Sequence, residues 1–473
     1  MLKNNTDLKN FPSLFDSVLI TNLILGFFPI SFILGNFAIN LNILLFCLLG
    51  IFQLKKKILS SKFIIPIKII FLFFFIVFFS TSLSFILSLY FEGYNSVNLE
   101  RLIKSLLFFR FFLILIIIYL LSEYNILNLK YFFIIAAFSA IVVSFDLIYQ
   151  FIFGYNIIGL ESLGHHNTSF FGDERIAGGF VQNFAFFSIL FLVFSLQNKK
   201  TLRLITLITV VSVLGAGIII SGNRMPFILF LIGLIILFIF NNKLRVVIPV
   251  GIIFILISFQ FIHSQDAKLK LMYSSLYENV KDLFISYDPK LMSEFEKELR
   301  IEEGEEIEKK NKINLLDDYV MHNRLLLTAL DLWKKNKIFG GGIKSFRIDC
   351  QKLQSDEYNL GDGYDKTKKN RLCSNHPHNY YFEVLAETGV TGLFTVLLMA
   401  YLFIIFILKN YRLFKGKNVE NLLLLASTTS LFLEVFPIKS TGSIFSTNNA
   451  TYIVLISSII LIYYKKMIEI NNK

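Results

Sequence analysis

The sequence predicts an all-α polytopic integral membrane protein. Hydrophobic residues make up 55% of its 473 residues and charged residues only 17%, whereas about a quarter of the residues in a soluble domain are charged. The apolar residues fall in runs of about 16 to 25, the length that crosses a bilayer as a helix. Because these runs are continuous rather than alternating, they exclude a β-barrel. The composition also excludes a disordered chain and an ordinary soluble enzyme.

We predict about twelve transmembrane segments, with ends defined to within several residues. They are residues 18–35, 37–54, 66–90, 105–122, 131–153, 176–197, 203–220, 225–241, 246–262, 379–408, 419–437 and 450–464. The second segment either crosses the membrane fully or forms a re-entrant hairpin with the first.

Basic residues follow the even-numbered segments. Examples are Lys55 to Lys57 after the second segment, Lys199 and Lys200 after the sixth, and Lys465 and Lys466 after the last. Because Lys and Arg concentrate in cytoplasmic loops, we expect both termini to be cytoplasmic and residues 263–378 to lie outside. This outer segment has 20 acidic and 20 basic residues, so the whole net charge of +12 comes from the rest of the chain, mostly from the short connections between apolar runs. That distribution favours membrane orientation over nucleic-acid binding as the reason for the charge.

The chain therefore divides into four regions. Residues 1–175 hold N-terminal transmembrane helices, 176–262 central ones, 263–378 a large outer loop, and 379–473 C-terminal ones. The loop is far longer than a connector, and we expect short helices within it. Residues 291–312 are highly charged and predict a solvated helix.

A second helix is expected late in the outer loop. Residues 321–339 carry apolar side chains at helical spacing: Leu325, Leu326, Ala329, Leu330 and Trp333. This pattern predicts an amphipathic helix that lies on the membrane or caps the bundle. The glycines at 340–342 end it. Cys350 and Cys373 lie in the same loop, where an oxidising compartment favours a disulfide; two free thiols are the alternative. Cys47 lies in an apolar run and is expected to be an inert core residue.

Three inward-running segments begin beside motifs that suit an anion. Arg175 lies in GDERIAGG, Arg224 in SGNRMP and His378 in NHPHN, while Arg324, in HNR, opens the amphipathic helix. Each helix start presents unpaired N–H groups at the outer face, and arginines beside several such starts suit a strongly anionic group. For any single arginine, interfacial snorkelling is the alternative.

His378 is the candidate general base. A helix N-terminus and nearby arginines disfavour imidazolium, so we expect a lowered pKa and a neutral ring that accepts a proton. Asn379 would orient this ring or bind a sugar hydroxyl, and His376, which precedes Pro377, is expected to cap the helix. The alternative role for His378 is that of a capping residue.

These motifs together resemble the O-antigen ligase/O-antigen polymerase superfamily of bacterial GT-C-type membrane glycosyltransferases. The resemblance rests on SGNR, on HNR before a Trp-containing helix that ends in glycines, and on HPHNYYFEVLAETGVTG, and it covers about residues 175–408. It implies that Arg175, Arg224 and Arg324 hold the diphosphate of an undecaprenyl-diphosphate-linked glycan, and that His378 is the base. The Arg175 motif departs from the family, with Gln182-Asn183 where members often have Pro-Asn.

The resemblance also implies a reaction and its place. A glycan is transferred, with inversion and without metal or cofactor, to a sugar hydroxyl of lipid A core at the periplasmic face of the inner membrane, which defines an O-antigen ligase. Another lipid-linked repeat unit as acceptor would make the protein an O-antigen polymerase, and protein O-glycosylation is a third possibility. The alternative from a different functional class is a transporter or flippase of lipid-linked sugars. Such a protein would place its site near the midplane of the membrane and show internal repeats.

Overall fold

The computed structural model describes residues 17–55, 57–91, 93–162, 166–265, 321–354, 371–440 and 442–471. Regular structure within these ranges is almost entirely helical, which confirms the predicted all-α class. The helices of ten or more residues are α1 (Ser17–Leu34), α2 (Asn36–Leu54), α3 (Ile65–Phe91), α4 (Ser96–Glu123), α5 (Lys130–Phe153), α6 (Ala177–Ser195), α7 (Lys200–Ile220), α8 (Arg224–Phe240), α9 (Val247–Gln265), α10 (Met321–Lys335), α11 (Ser345–Gln354), α12 (Tyr380–Lys409), α13 (Val419–Glu434) and α14 (Thr447–Asn471). The charged stretch 291–312 lies outside the described residues.

Each predicted membrane segment corresponds to one of these helices. Within the described ranges, nine helices are long and apolar enough to cross a membrane. Helix α8 and residues 247–262 of α9 are apolar but shorter, and α13 has 16 residues. The chain is therefore a multi-pass membrane protein, while the count of twelve crossings stays a prediction. Helix α2 has 19 residues, which span roughly 28 Å and favour a full crossing over a re-entrant hairpin.

Helix α6 forms the centre of the bundle. It packs against α5, α7, α8 and α13, and most of its residues are buried, as expected of a helix that is apolar on all sides. Its Phe184 and Phe187 make edge contacts with Tyr452 and Phe133, with ring centroids 5.5 and 6.3 Å apart. This packing fixes the start of α6, next to which Arg175 lies.

Helix α4 begins nine residues earlier than the predicted apolar segment. The side chain of Asn95 accepts a hydrogen bond from the backbone N–H of Val97 and caps the helix, as asparagine at an N-cap commonly does. The first turns of α4 are polar and hold Lys104, which apolar run length alone could not assign to a membrane helix.

The tenth predicted segment, residues 379–408, is not one continuous helix. Gly389 has φ 67° and ψ −165° and breaks α12; this left-handed backbone region is one that glycine adopts readily. The residues before the break bury polar side chains, whereas Phe394, Leu397 and Tyr401 after it are exposed. About 20 residues follow the break, enough to cross a bilayer. The predicted span is therefore present, and its helix is interrupted at Gly389.

A glycine-rich loop, residues 337–342, closes this break. A Cβ at Gly389 would lie 2.2 Å from the carbonyl oxygen of Ile338, so the close approach requires glycine. Backbone groups that the break leaves without helical partners find them in the loop. The bonds, donor first, are Gly341 N to Ala386 O (3.1 Å), Gly342 N to Glu387 O (2.8 Å), Val390 N to Lys337 O (2.9 Å) and Thr391 N to Ile338 O (3.2 Å).

Helices α3 and α4 hold the other side of the same loop. The guanidinium of Arg101 donates to the carbonyls of Ile343 (3.0 Å) and Gly341, and Thr81 Oγ1 accepts from Ile343 N–H at 3.0 Å. Arg101 is almost fully buried, and its bonds to backbone oxygens compensate the burial of the charge. The loop is thus fixed from both sides.

The amphipathic helix predicted late in the outer loop is α10, and it caps the bundle by packing on α12. Its apolar face forms a small second core with α11 and α12. Leu325 and Ala329 are buried as the spacing predicted, while Leu326, Leu330 and Trp333 are only half-buried. Leu332 takes the place expected of Trp333, because Trp333 instead turns its indole N–H to the carbonyl of Lys337 at 3.0 Å.

Cys350 and Cys373 form a disulfide in the structure, with a Cα–Cα distance of 5.5 Å. Cys350 is buried in the core shared by α10, α11 and α12. The bond therefore connects α11 to the segment that leads into α12, and Cys47 is a buried free cysteine.

Loss of this disulfide is expected to destabilise the packing of α10 and α11 on α12. The two cysteines are 23 residues apart, and closing a loop of that size contributes roughly 3 kcal/mol in the chain-entropy model. The double variant Cys350→Ser/Cys373→Ser should unfold at a lower temperature than wild type in detergent, whereas Cys47→Ser should change little. Peptide mapping under non-reducing conditions should find Cys350 and Cys373 linked; recovery of both as free thiols would contradict the assignment.

Membrane orientation is tested by reporter fusions. Because basic residues follow the even-numbered segments, fusions after Lys417 and Lys466 should report the cytoplasm, and a fusion at Asp362 the outside. The control is a fusion after Lys200, which should also report the cytoplasm. A cytoplasmic signal at Asp362 would overturn both the count of crossings and the outward placement of the loop.

Candidate active site at the helix starts

A cavity of about 1160 Å³ opens among the starts of α6, α8 and α12, the first half of α4 and the segment before α14. Its lining is rich in cations, with seven Lys or Arg against four Glu. The cations are Lys104, Arg110, Arg175, Arg224, Lys344, Arg347 and Lys439. This surplus of positive charge makes the cavity suited to an anionic ligand.

Asn223 ties the starts of α6 and α8 together. Its Oδ1 accepts from Gly178 N–H at 3.2 Å, and its Nδ2 donates to the carbonyl of Arg175 at 3.1 Å. A Cβ at Gly178 would lie 2.2 Å from Ser221 Oγ, so the glycine permits the close approach. The GDERIAGG and SGNRMP motifs thus form one structure that places Arg175 and Arg224 on the same cavity.

The predicted site residues divide into two sets. Arg175, Arg224 and His376 line the cavity, and Arg224 is the first residue of α8. Arg324, His378 and Asn379, although described in the structure, do not line the cavity. Arg324 lies in the first turn of α10 and is half-buried.

The two histidines lie side by side before α12. Their ring centroids are 4.3 Å apart, and His378 has a left-handed backbone with φ 57°. His378 does not line the cavity itself, but its ring lies against that of His376, which does. The prediction that His376 caps α12 was wrong, because Asn379 is the N-cap.

Asn379 fixes the start of α12 in two directions. Its Oδ1 accepts from the N–H groups of Tyr381 and Phe382 at 3.0 and 3.3 Å, and its Nδ2 donates to the carbonyl of Pro437 at 2.7 Å. With both ends of the side-chain amide in use, Asn379 positions the HPHN segment against the end of α13.

Buried polar side chains of α12 and α13 form the wall of the cavity. Glu434 accepts from the hydroxyl of Tyr380 and from Nζ of Lys439, both at 2.6 Å. Glu383 accepts from Ser443 Oγ at 2.5 Å and from Ile444 N–H at 2.8 Å. Because these carboxylates have partners within the protein, they stabilise the wall.

Sequence reasoning missed five cations of this cavity: Lys104, Arg110, Lys344, Arg347 and Lys439. Arg110 could have been found, since a charge inside the apolar run of α4 marks a functional position in a membrane protein. It donates to the carbonyl of Leu107 at 2.9 Å and to Thr447 Oγ1 at 3.2 Å. Lys104 lies in the polar first turns of α4, before the predicted apolar segment. Lys344, Arg347 and Lys439 lie in loops or a short helix, and only the tertiary fold brings them to the cavity.

The fold and this site define a class: a multi-pass α-helical membrane protein with a cation-rich cavity at its helix starts. Residues 208–397 match the family model described as O-Antigen ligase. This match supports the resemblance to the O-antigen ligase superfamily and covers less than half of the chain. The matched range contains Arg224, Arg324 and His378, while Arg175 precedes it. No curated protein matches the chain significantly.

Proposed function

We propose that the protein is a glycosyltransferase of the inner membrane that uses an undecaprenyl-diphosphate-linked glycan as donor. The observation that carries the proposal is that Arg175 and Arg224 line the same cavity, because Asn223 connects the starts of α6 and α8. The chain that forms this cavity matches the O-antigen ligase family over residues 208–397. Helix N-termini and arginines are both suited to phosphate oxygens. Arg175 and Arg224 hold the diphosphate. The resemblance assigns Arg324 to the same group, although Arg324 does not line the cavity.

The proposed reaction is a direct displacement without metal or cofactor. His378 takes the proton of the acceptor hydroxyl, and the oxygen attacks the anomeric carbon of the donor sugar. The bond from that carbon to the diphosphate oxygen breaks, and its electron pair leaves with the diphosphate. The arginines stabilise the negative charge that develops there. Attack opposite the leaving group inverts the anomeric configuration.

For the acceptor we propose a sugar of lipid A core, which makes the protein an O-antigen ligase at the periplasmic face. Deletion in the host followed by a lipopolysaccharide gel tests this directly. A ligase deletion leaves intact core without polymer, whereas a core that carries one repeat unit indicates an O-antigen polymerase. Unchanged lipopolysaccharide with loss of a glycoprotein would indicate protein O-glycosylation.

A transporter of lipid-linked sugars is the competing class. Purified protein in detergent separates the two, because a transferase forms the glycosylated acceptor and free undecaprenyl diphosphate without any membrane to cross. Formation of both products supports the transferase. Movement of labelled donor across a vesicle membrane without product in detergent would instead support transport.

A further inference from the structure

A second group of cations lies on the same cavity, carried by other elements than Arg175 and Arg224. Lys104 lies on α4, Lys344 directly precedes α11, and Arg347 lies in its first turn. Helix α4 carries Lys104 six residues before Arg110, which is about 9 Å nearer the start of the helix. This group, Lys104, Lys344 and Arg347, is called the basic triad below.

The basic triad holds like charges close to one another. Burial, and then the positive charges of Lys104 and Arg347, lower the pKa of Lys344, while the charge of Glu387 opposes this shift without reversing it. Lys344 also has a left-handed backbone, with φ 63°, which is uncommon for a residue with a side chain. An arrangement that is unfavourable for the protein alone becomes favourable when an anion binds between the cations.

The nearby carboxylates leave room for such an anion. Glu387 Oε2 accepts from the backbone N–H of Lys344 at 2.7 Å, and Glu383 accepts from Ser443 and Ile444. Glu100 pairs with Lys104 at the exposed edge of α4. An exposed pair of this kind is weak, so a ligand anion can replace Glu100.

We propose that the basic triad is a subsite for an anionic group, phosphate or carboxylate, on the acceptor glycan. The inference rests on the proposed function and adds a substrate requirement to it. A phosphate monoester carries close to two negative charges and three acceptor oxygens, which suits two ammonium groups and one guanidinium.

The position of the triad favours the acceptor over the donor. The donor diphosphate is assigned to the arginines at the starts of α6 and α8. The triad is instead attached to α12 through the bond from Lys344 to Glu387, two turns along the helix from the HPHN segment. The acceptor hydroxyl must reach the base in that segment. We therefore assign the triad to the acceptor rather than to the donor.

Binding to purified full-length protein in nanodiscs tests the subsite without any transfer step. The probes are three preparations of lipid A core: untreated, dephosphorylated with aqueous hydrogen fluoride, and amidated at its carboxylates. Wild type should bind untreated core roughly tenfold or more tighter than one of the treated forms, and the affected preparation identifies the anion. The variant Lys104→Gln/Lys344→Gln/Arg347→Gln should bind all three alike. Equal binding of all three by wild type would overturn the proposal.

Two further variants keep the test interpretable. Lys104→Gln/Arg347→Gln leaves the left-handed Lys344 untouched and should lose most of the discrimination if the triple variant folds poorly. Lys337→Gln, on an exposed lysine that does not line the cavity, should bind like wild type. An equal loss of affinity for the undecaprenyl-diphosphate donor in the triad variants would also overturn the assignment to the acceptor. If wild type discriminates among the acceptors yet forms no product, the transferase proposal fails while the subsite stands.

Discussion

Replacing His378 by alanine is expected to slow glycan transfer by about 10²–10⁴-fold, the usual contribution of a general base. The residue lies directly before Asn379, whose side chain fixes the start of α12. Donor binding should persist, because the arginines of the cavity are unchanged. The measurement is a single-turnover rate with purified protein, together with the Kd for the donor.

The left-handed backbone of His378 suggests a better-matched variant. Asparagine tolerates φ near 57° more readily than most residues, so His378→Asn should keep the local backbone while removing the base. In wild type the transfer rate should decrease towards acidic pH, and this decrease should be absent from both variants. A folded His378→Asn protein that transfers glycan at nearly the wild-type rate would exclude His378 as base.

His376 provides the internal comparison. Its ring lies against that of His378 and lines the cavity, so proximity to the cavity alone would favour it as base. We expect His376→Ala to slow transfer by less than about tenfold. A loss as large as that of the His378 variants would instead assign proton transfer to the pair.

The architecture was predictable because the bilayer imposes a length on each helix. A helix corresponds to each of the twelve segments that run length predicted, most with ends within a few residues. The method failed where polar residues extend a helix, as before Lys104 in α4, and where a single residue interrupts one, as at Gly389. Both features depend on local hydrogen bonding to Asn95 or to the glycine-rich loop, and hydropathy does not record such bonds.

The candidate site was only partly predictable, because a cavity joins elements that are distant in sequence. Arg175 and Arg224 were found since each lies beside a helix start that the sequence marks with glycine or proline. Lys439 lies beside no predicted helix start, and helix α11, which Lys344 precedes, was not itself predicted; only the packing of α11, α12 and α13 brings both lysines to the cavity. The capping role of Asn379 was missed, because the sequence analysis assigned the cap to His376 and gave Asn379 a role toward the His378 ring or a sugar hydroxyl.

Replacing Arg224 by lysine is expected to reduce kcat/KM by roughly 10- to 100-fold. Arg224 begins α8 and lines the cavity beside the start of α6. Lysine keeps the positive charge but loses the planar fork that binds two phosphate oxygens at once, and a hydrogen bond to a charged group contributes about 1.5–3 kcal/mol.

The matched control is Arg245→Lys, because Arg245 is exposed and does not line the cavity. It should transfer glycan at the wild-type rate. The same comparison separates diphosphate binding from snorkelling, since a lysine snorkels as well as an arginine. If Arg224→Lys retained the wild-type kcat/KM, Arg224 would serve only to anchor α8 at the interface, and the diphosphate would have to be assigned to the remaining cations of the cavity.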